Sequence, residues 1–452
     1  MTEQKKILLL LPTGMTIRNF LSTDIVKEIL ESSNHKVICC LKDVNKYKNY
    51  IKHERIEYVE FIDKKRFSIN WIIRFILRQR FYSLKPNPTI KILERGPLFL
   101  DSKHYISSFL KYPFPRSKII FNLMQILEKI FFITDKNILK QIQAINPDLI
   151  FSTHLVANEE HDYLRIASKL NIQTVGMVKS FDNLTSKGFI AVKPNFIFLW
   201  SQMLKDELLE LYDYDESRIK ITGVPQFDLY KESPSITKKE FLERYNLSEN
   251  RKTILYATNH RDISPDDPEN VALLAENLNK LNSQLIVRLH QMDNINRYET
   301  LNFENVIFQV PGIKEGEGTQ ERVADKSFIE ELRDILYFSD VTINTCSTMT
   351  LDAISAGKPV INICYDLEEK PYYQSVKRFY DFVHYVPILN TKCTSLAHSP
   401  QELINLLQSN LDNKNLKTNQ RRRVSEYMLD GNVGNASKKV AKFINQIVEE
   451  MT

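Results

Sequence analysis

Two doubly wound α/β domains in tandem, facing a central cleft, are the architecture this 452-residue sequence predicts. Three observations carry that reading. Short apolar runs alternate with longer amphipathic segments from end to end, the pattern of βαβ units and a parallel sheet. The alternation breaks over residues 231–250, a polar stretch with Pro234 and no strand pattern, and a second alternating set begins at Thr253.

The elements follow in order. Strands are predicted at residues 7–11, 36–41, 148–152, 173–178, 196–200 and 219–222, each an apolar run too short for a helix. Helices are predicted at 23–31, 119–145 and 203–211. In the second set, strands are predicted at 254–257, 284–289, 306–310, 341–345 and 360–363, with helices at 327–338 and 348–356 between them. The chain closes with helices near 401–411 and 419–450. The domains are thus 1–230 and 251–400, with 231–250 as linker and 401–452 as closing helices.

Composition narrows the function classes. Hydrophobic residues at 43% and charged residues at 26% are ordinary for a globular chain that buries a core. A net charge of +5 is too small at this length to argue for nucleic acid. The five cysteines form no CxxC pair and lie mostly in or beside strands, which predicts reduced thiols and a cytoplasmic protein. No His/Cys cluster has metal-ligand spacing. No uncharged stretch has transmembrane length, and the opening apolar run is short and leads into Pro12-Thr13-Gly14 without the pattern of a signal peptide.

Ligands of open parallel sheets bind beyond the carboxyl ends of the strands. In the second set, the strand ends carry His260 and Arg261, then Arg288 and His290, then Ser347 and Thr348. A helix predicted to start at Ser347 collects unpaired N–H groups and a partial positive charge, and small hydroxyl residues let a phosphate approach. Simple helix capping by Ser347 is the competing reading, and the cationic tips on neighbouring strands favour the phosphate.

Here "IVRLHQMDN" and "INTCSTMTLDAISAGKPVINI" resemble the second domain of GT-B glycosyltransferases. The sequence is most similar to the CDP-glycerol glycerophosphotransferase clan and its relatives that use CMP-activated sugars, including polysialyltransferases and capsule Kdo transferases. The resemblance implies that His290 and the Ser347-Thr348 pair grip the phosphate side of a cytidine nucleotide, with Gln291 where the family carries proline. It also implies CMP- or CDP-linked donors ahead of UDP or GDP, with no separate cofactor and no metal. The closing segment "EYMLDGNVGNASKKVAKFI" is similar to the family's last helix, which crosses back to the first domain.

The first domain is expected to hold the acceptor. "MVKSFDNLTSKG" (177–188) is an unusually polar strand exit and resembles loops of surface-polysaccharide transferases. Asp182 is the first choice for the base that deprotonates the acceptor, then His154, then Glu160; Asn183, Lys187, Gly14 and Arg18 would line the acceptor side. Residues 64–91 are rich in Lys and Arg without an acidic residue, and Arg66, Asn70, Arg74 and Arg78 fall on one helical face. That pattern predicts contact with an anionic membrane surface, which would make the protein peripheral at the inner membrane face; a core helix with a solvated basic face is the competing reading. The function expected is transfer of a sugar or polyol-phosphate group from a nucleotide-activated donor to a surface-polysaccharide or lipid-linked acceptor. The alternatives are a non-hydrolysing nucleotide-sugar 2-epimerase on the same fold and a non-catalytic membrane-associated scaffold.

Overall fold

The computed structural model describes residues 4–63, 68–95, 117–156, 158–301, 303–314, 322–323, 326–431 and 433–450. The chain divides into two compact units. Met1–Glu94, Phe99–Gln226 and Met428–Thr452 make up the first, and Arg95–Leu98 and Phe227–Tyr427 the second.

The first unit opens with β1 (Lys6–Leu11), α1 (Gly14–Leu21), α2 (Ile25–Ser32), β2 (Lys36–Leu41) and β3 (Ile56–Glu60). There follow α3 (Ile69–Leu84), α4 (Lys118–Ile130), α5 (Lys136–Ile145), β4 (Leu149–Ser152), α6 (Asn158–Lys169) and β5 (Gln173–Met177). The set ends with β6 (Phe196–Leu199), α7 (Gln202–Leu211) and β7 (Ile219–Ile221). The seven strands pair in the order β3-β2-β1-β4-β5-β6-β7, parallel throughout. β1 is central, and Ile7 to Leu11 are fully buried, which explains its unbroken apolar run.

One helix was not expected, and the helix expected over 119–145 is divided. The region after β1 holds α1 as well as α2, and Thr13 starts α1 through a capping box with Thr16. The helix expected over 119–145 ends at Ile130, and Asp135 starts α5 by accepting from the N–H groups of Asn137 and Ile138.

The second unit contains α8 (Lys238–Arg244), β8 (Lys252–Ala257), α9 (Asp267–Asn277), β9 (Ser283–Arg288), β10 (Val306–Gln309), α10 (Lys326–Phe338) and β11 (Val341–Asn344). It continues with α11 (Met349–Ser355), β12 (Val360–Ile363), β13 (Ser395–Ala397), α12 (Pro400–Asp412) and α13 (Thr418–Leu429). Its strands are parallel in the order β10-β9-β8-β11-β12-β13. Ile254, Tyr256, Leu285, Val287, Ile343 and Ile361 form the centre of its core. The last helix, α14 (Ala436–Glu449), belongs to the first unit and packs on α2, where Asn445 donates to Ser32 Oγ at 2.9 Å.

The basic segment does not present its expected face to solvent. Lys64, Lys65 and Arg66 lie outside the described residues. Asn70, Arg74 and Arg80 on α3 are buried. Arg74 donates to Glu128 of α4 at 3.0 Å and to Asp162 of α6 at 2.6 Å, so its charge is used inside the fold. Ile69 and Ile72 are exposed instead. Among the described residues no helix is long and apolar enough to cross a membrane.

Candidate functional site

In both sheets the strand order reverses once, between β1 and β4 and between β8 and β11. Such switch points open a crevice at the carboxyl ends of the strands, and the residues expected to act lie on them.

In the second unit, β9, β8 and β11 are neighbours, so their tips are spaced by about 4.8 Å each. The loop after β8 is fixed by Asp267, which is buried. Ser264 Oγ donates to it at 2.6 Å, Tyr256 OH at 2.6 Å and the Asn259 N–H at 2.9 Å. Burial raises the Asp267 carboxyl to about 6 against the pull of those donors. Ser264 Oγ also lies 3.0 Å from Thr345 Oγ1, tying this loop to the β11 tip.

His260 and His290 stand on adjacent tips in matching turns. The Asp262 N–H donates to His260 Nδ1 at 3.2 Å, and the Met292 N–H donates to His290 Nδ1 at 3.1 Å. With each Nδ1 occupied as an acceptor, each neutral ring carries its proton on Nε2. The His290 backbone N–H is held by Thr258 Oγ1 at 2.9 Å, and the residue as a whole keeps solvent exposure. Desolvation and the neighbouring His260 lower the His290 pKa. The tips therefore offer two imidazole N–H donors without requiring a positive charge.

At the third tip, α11 starts one residue later than expected, with Thr348 rather than Ser347 in the cap position. Ser347 Oγ accepts from the Met349 N–H at 3.0 Å, and the Thr350 N–H is bonded to Ser347 O at 3.2 Å. Thr348 is exposed. A buried polar cluster that sequence reasoning missed sets this turn. Thr350 Oγ1 donates to Asn344 Oδ1 at 3.0 Å, Asn362 Nδ2 donates to both residues at 3.1 Å, and Tyr385 OH lies 3.0 Å from Thr350 Oγ1. Arg261 is exposed on the loop after β8. Arg288 lies elsewhere: it is buried, donating to Gln309 at 2.6 Å and to Glu331 of α10 at 3.4 Å, with Phe328 under its guanidinium. The structure sets it among those residues of the domain interior.

In the first unit, a single π-turn over Asn183–Lys187 follows β5. The turn closes through the Gly188 N–H on Asn183 O at 2.5 Å. Tyr82 OH donates to Gly188 O, and Asn87 Nδ2 to Thr185 O at 3.1 Å, so the end of α3 and the segment just after it clamp the loop. Glycine suits this position, because a Cβ would stand too close to the Tyr212 hydroxyl and Tyr212 would have to move. Asp182 sits at the head of the turn with donors converging on it: Lys187 Nζ at 2.7 Å, Ser186 Oγ at 3.2 Å and Asn183 Nδ2 at 3.1 Å.

His154, after β4, accepts on Nδ1 from Lys179 Nζ at 3.4 Å. Burial and the nearby Lys179 and Lys187 push its pKa down to about 3, so it is neutral and a poor proton acceptor near pH 7. Glu160, on the first turn of α6, is fully buried, and burial pushes its carboxyl up to about 8 against the Ser152 hydroxyl and the N–H groups of His154 and Thr153. Lys179 was not singled out from sequence. Burial and Lys187 lower it to about 8, while Glu160 and Asp182 act to raise it and Arg18 to lower it. The cluster thus gathers Asp182, Asn183, Lys187, His154 and Glu160 around Lys179, with Arg18 of α1 in electrostatic range. Gly14, at the start of α1, borders open space. A lysine two residues beyond a buried strand, entering a polar loop, was the signal available for Lys179. Among the described residues no group of three His, Cys, Asp or Glu side chains could hold a metal ion.

The family described as CDP-glycerol:poly(glycerophosphate) glycerophosphotransferase matches residues 194–446, more than half of the chain. No curated protein sequence matches. Solved structures share the fold. UDP-GlcNAc 2-epimerase from Neisseria meningitidis, bound to UDP-GlcNAc, aligns at TM-score 0.58 and 14% identity, covering 98% of this chain and 100% of that one. The UDP-GlcNAc 2-epimerase from Methanocaldococcus jannaschii aligns at TM-score 0.55 and 12% identity, covering 98% and 99%. A glycosyltransferase from Rickettsia africae aligns at TM-score 0.51 and 13% identity, covering 99% of both chains. The chain belongs to the CDP-glycerol:poly(glycerophosphate) glycerophosphotransferase family and is a nucleotide-donor transferase built on the GT-B fold.

Proposed function

We propose that the protein transfers a substituted phosphate group from a cytidine-nucleotide donor to a hydroxyl of a surface-polysaccharide or lipid-linked acceptor. The observation that carries this reading is the pair of imidazoles on the β8 and β9 tips, each with Nδ1 engaged and Nε2–H left to donate. A diphosphate needs donors spread over its length, and three adjacent strand ends supply them. His290 and His260 are assigned to the donor's phosphates, with Thr348, Ser347 and Arg261 beside them. The imidazole and hydroxyl donors are assigned to hydrogen-bond the leaving phosphate, and the exposed Arg261 to supply positive charge beside it.

Acceptor activation is assigned to the first unit. The acceptor oxygen attacks the phosphorus of the transferred group and a new P–O bond forms. The anhydride P–O bond breaks, its electron pair leaves with the nucleoside monophosphate, and the hydroxyl proton passes to Asp182. The donors around Asp182 support its role by fixing the carboxylate; Lys179 and Lys187 supply positive charge beside an anionic acceptor.

The test is turnover of a labelled CDP-polyol donor with acceptor present, followed as transfer of label and release of free CMP. Asp182→Asn is expected to cut turnover at least about a hundred-fold while leaving nucleotide binding intact. Wild-type protein that interconverts the donor's stereochemistry without releasing nucleotide, or an Asp182→Asn variant with full turnover, contradicts the proposal.

A further inference from the structure

The loop after β4 holds one imidazole in place from three sides. Thr153 Oγ1 donates to Leu10 O of β1 at 2.5 Å, and the Leu155 N–H donates to Met177 O of β5 at 3.3 Å. His154, between them, rides on a backbone pinned to both neighbouring strands. Its ring is held by Lys179, whose Nζ stands 3.4 Å from Nδ1. An ammonium has only donors to offer, so Nδ1 accepts and the ring proton sits on Nε2. Among the described residues Nε2 has no partner, and His154 is half-buried.

Lys179 is an unusual choice for that contact. Burial strips hydration from its ammonium, and Glu160 and Asp182 are near enough to favour its charge. Yet Asp182 takes its ion pair from Lys187 at 2.7 Å, and the short polar contact of Lys179 is the imidazole. A lysine that only balanced charge would turn to a carboxylate. One that turns to a ring nitrogen sets the tautomer of that ring. Lys179, Lys187 and His161 also oppose a second proton on the ring, and Asp182 favours it. The charged lysine therefore keeps the imidazole neutral, with one N–H left to donate.

We propose that Lys179 is a positioning residue: it holds His154 as a neutral Nε2–H donor, and that donor takes an acceptor oxygen next to the hydroxyl that Asp182 deprotonates. The acceptor is then a polyol or sugar with neighbouring oxygens, held at one and activated at the other. Two held oxygens orient the attacking one, which a single contact to the base does not. This rests on the transfer reading with Asp182 as base, and it gives His154 a role other than proton removal.

The test has two readouts. The first is NMR of the full chain with isotope-labelled histidine, the His154 ring nitrogens being assigned by their loss in His154→Gln. The wild type is expected to show the Nε2–H tautomer at neutral pH, and Lys179→Met a mixture of tautomers. A charged ring or the Nδ1–H tautomer in the wild type overturns the proposal, as does an unchanged ring in Lys179→Met. The second readout is turnover of the labelled CDP-polyol donor with glycerol as the acceptor probe. Lys179→Met and His154→Asn are each expected to raise KM for glycerol about ten-fold and to leave KM for the donor unchanged. Lys179→Gln can still donate to Nδ1, and the His154→Gln amide N–H takes the place of Nε2–H, so both are expected to recover most of the loss. Equal losses in the glutamine variants overturn the proposal by making the role merely structural. A wild type that transfers no label fails the transfer reading and takes the acceptor contact with it. A wild type that transfers, with KM for glycerol unchanged in Lys179→Met, overturns this proposal alone.

Discussion

Replacing Glu160 with glutamine is expected to stabilise the protein at neutral pH, by an amount that the structure bounds. The Glu160 side chain is fully buried and its pKa is pushed up to about 8 by burial. An unfolded chain ionises this carboxyl near its ordinary value of 4.5. Between those two values the unfolded state binds fewer protons than the folded state, so stability falls as pH rises. From the ordinary value to pH 7 is about two and a half pH units at about 1.4 kcal/mol each, giving a penalty of about 3 kcal/mol. Glutamine keeps the shape and does not titrate. The variant is therefore expected to match the wild type near pH 4, to gain progressively above it, and to lead by up to about 3 kcal/mol at pH 7. Lys179 does not confound the comparison: lowered to about 8, it alters stability only above that pH, where the unfolded lysine still holds its proton. The assay is urea denaturation across the pH range, read by tryptophan fluorescence. Both tryptophans, Trp71 and Trp200, lie in the first unit and report on it selectively. A difference between variant and wild type that does not change with pH would refute the reasoning, because Glu160 would then be ionised in the folded protein.

Arg74→Ala is expected to cost roughly 3–5 kcal/mol in the same denaturation assay, because Asp162 and Glu128 are left buried beside the space the guanidinium filled; a loss under about 1 kcal/mol contradicts this. Gly188→Ala is expected to destabilise by roughly 1–3 kcal/mol and to lower turnover, because the added methyl meets the Tyr212 hydroxyl and the Leu184 carbonyl. Adding Tyr212→Phe is expected to recover part of both losses, and a double variant no better than Gly188→Ala would rule that contact out as the cause.

The strands were legible because parallel strands covered on both faces are nearly continuous apolar runs; 7–11 and 341–345 read almost to the residue. Helix divisions were less so. The break before α5 is made by Asp135, a single capping residue inside a stretch that otherwise keeps helical periodicity, and the short α1, started by Thr13 directly after β1, was not read at all. The face of α3 was misread for a different reason. Arg74 finds its partners 54 and 88 residues away, and local sequence holds no trace of them. Arg288 has the same explanation, with Glu331 43 residues on. The positions of His290 and Asp182 at strand exits were legible because strand tips announce themselves as abrupt polar residues after apolar runs. Lys179 was passed over because nothing in the sequence reveals that it touches His154.

The central claim is that the strand tips of the second unit hold the phosphates of a cytidine nucleotide through His290. The most direct measurement is the melting temperature of wild type and His290→Ala with CMP, CDP, UDP and GDP, since a ligand that binds only the folded state raises it. The account predicts that a cytidine nucleotide gives the largest rise in the wild type and that His290→Ala abolishes it. An undiminished rise in His290→Ala would contradict it.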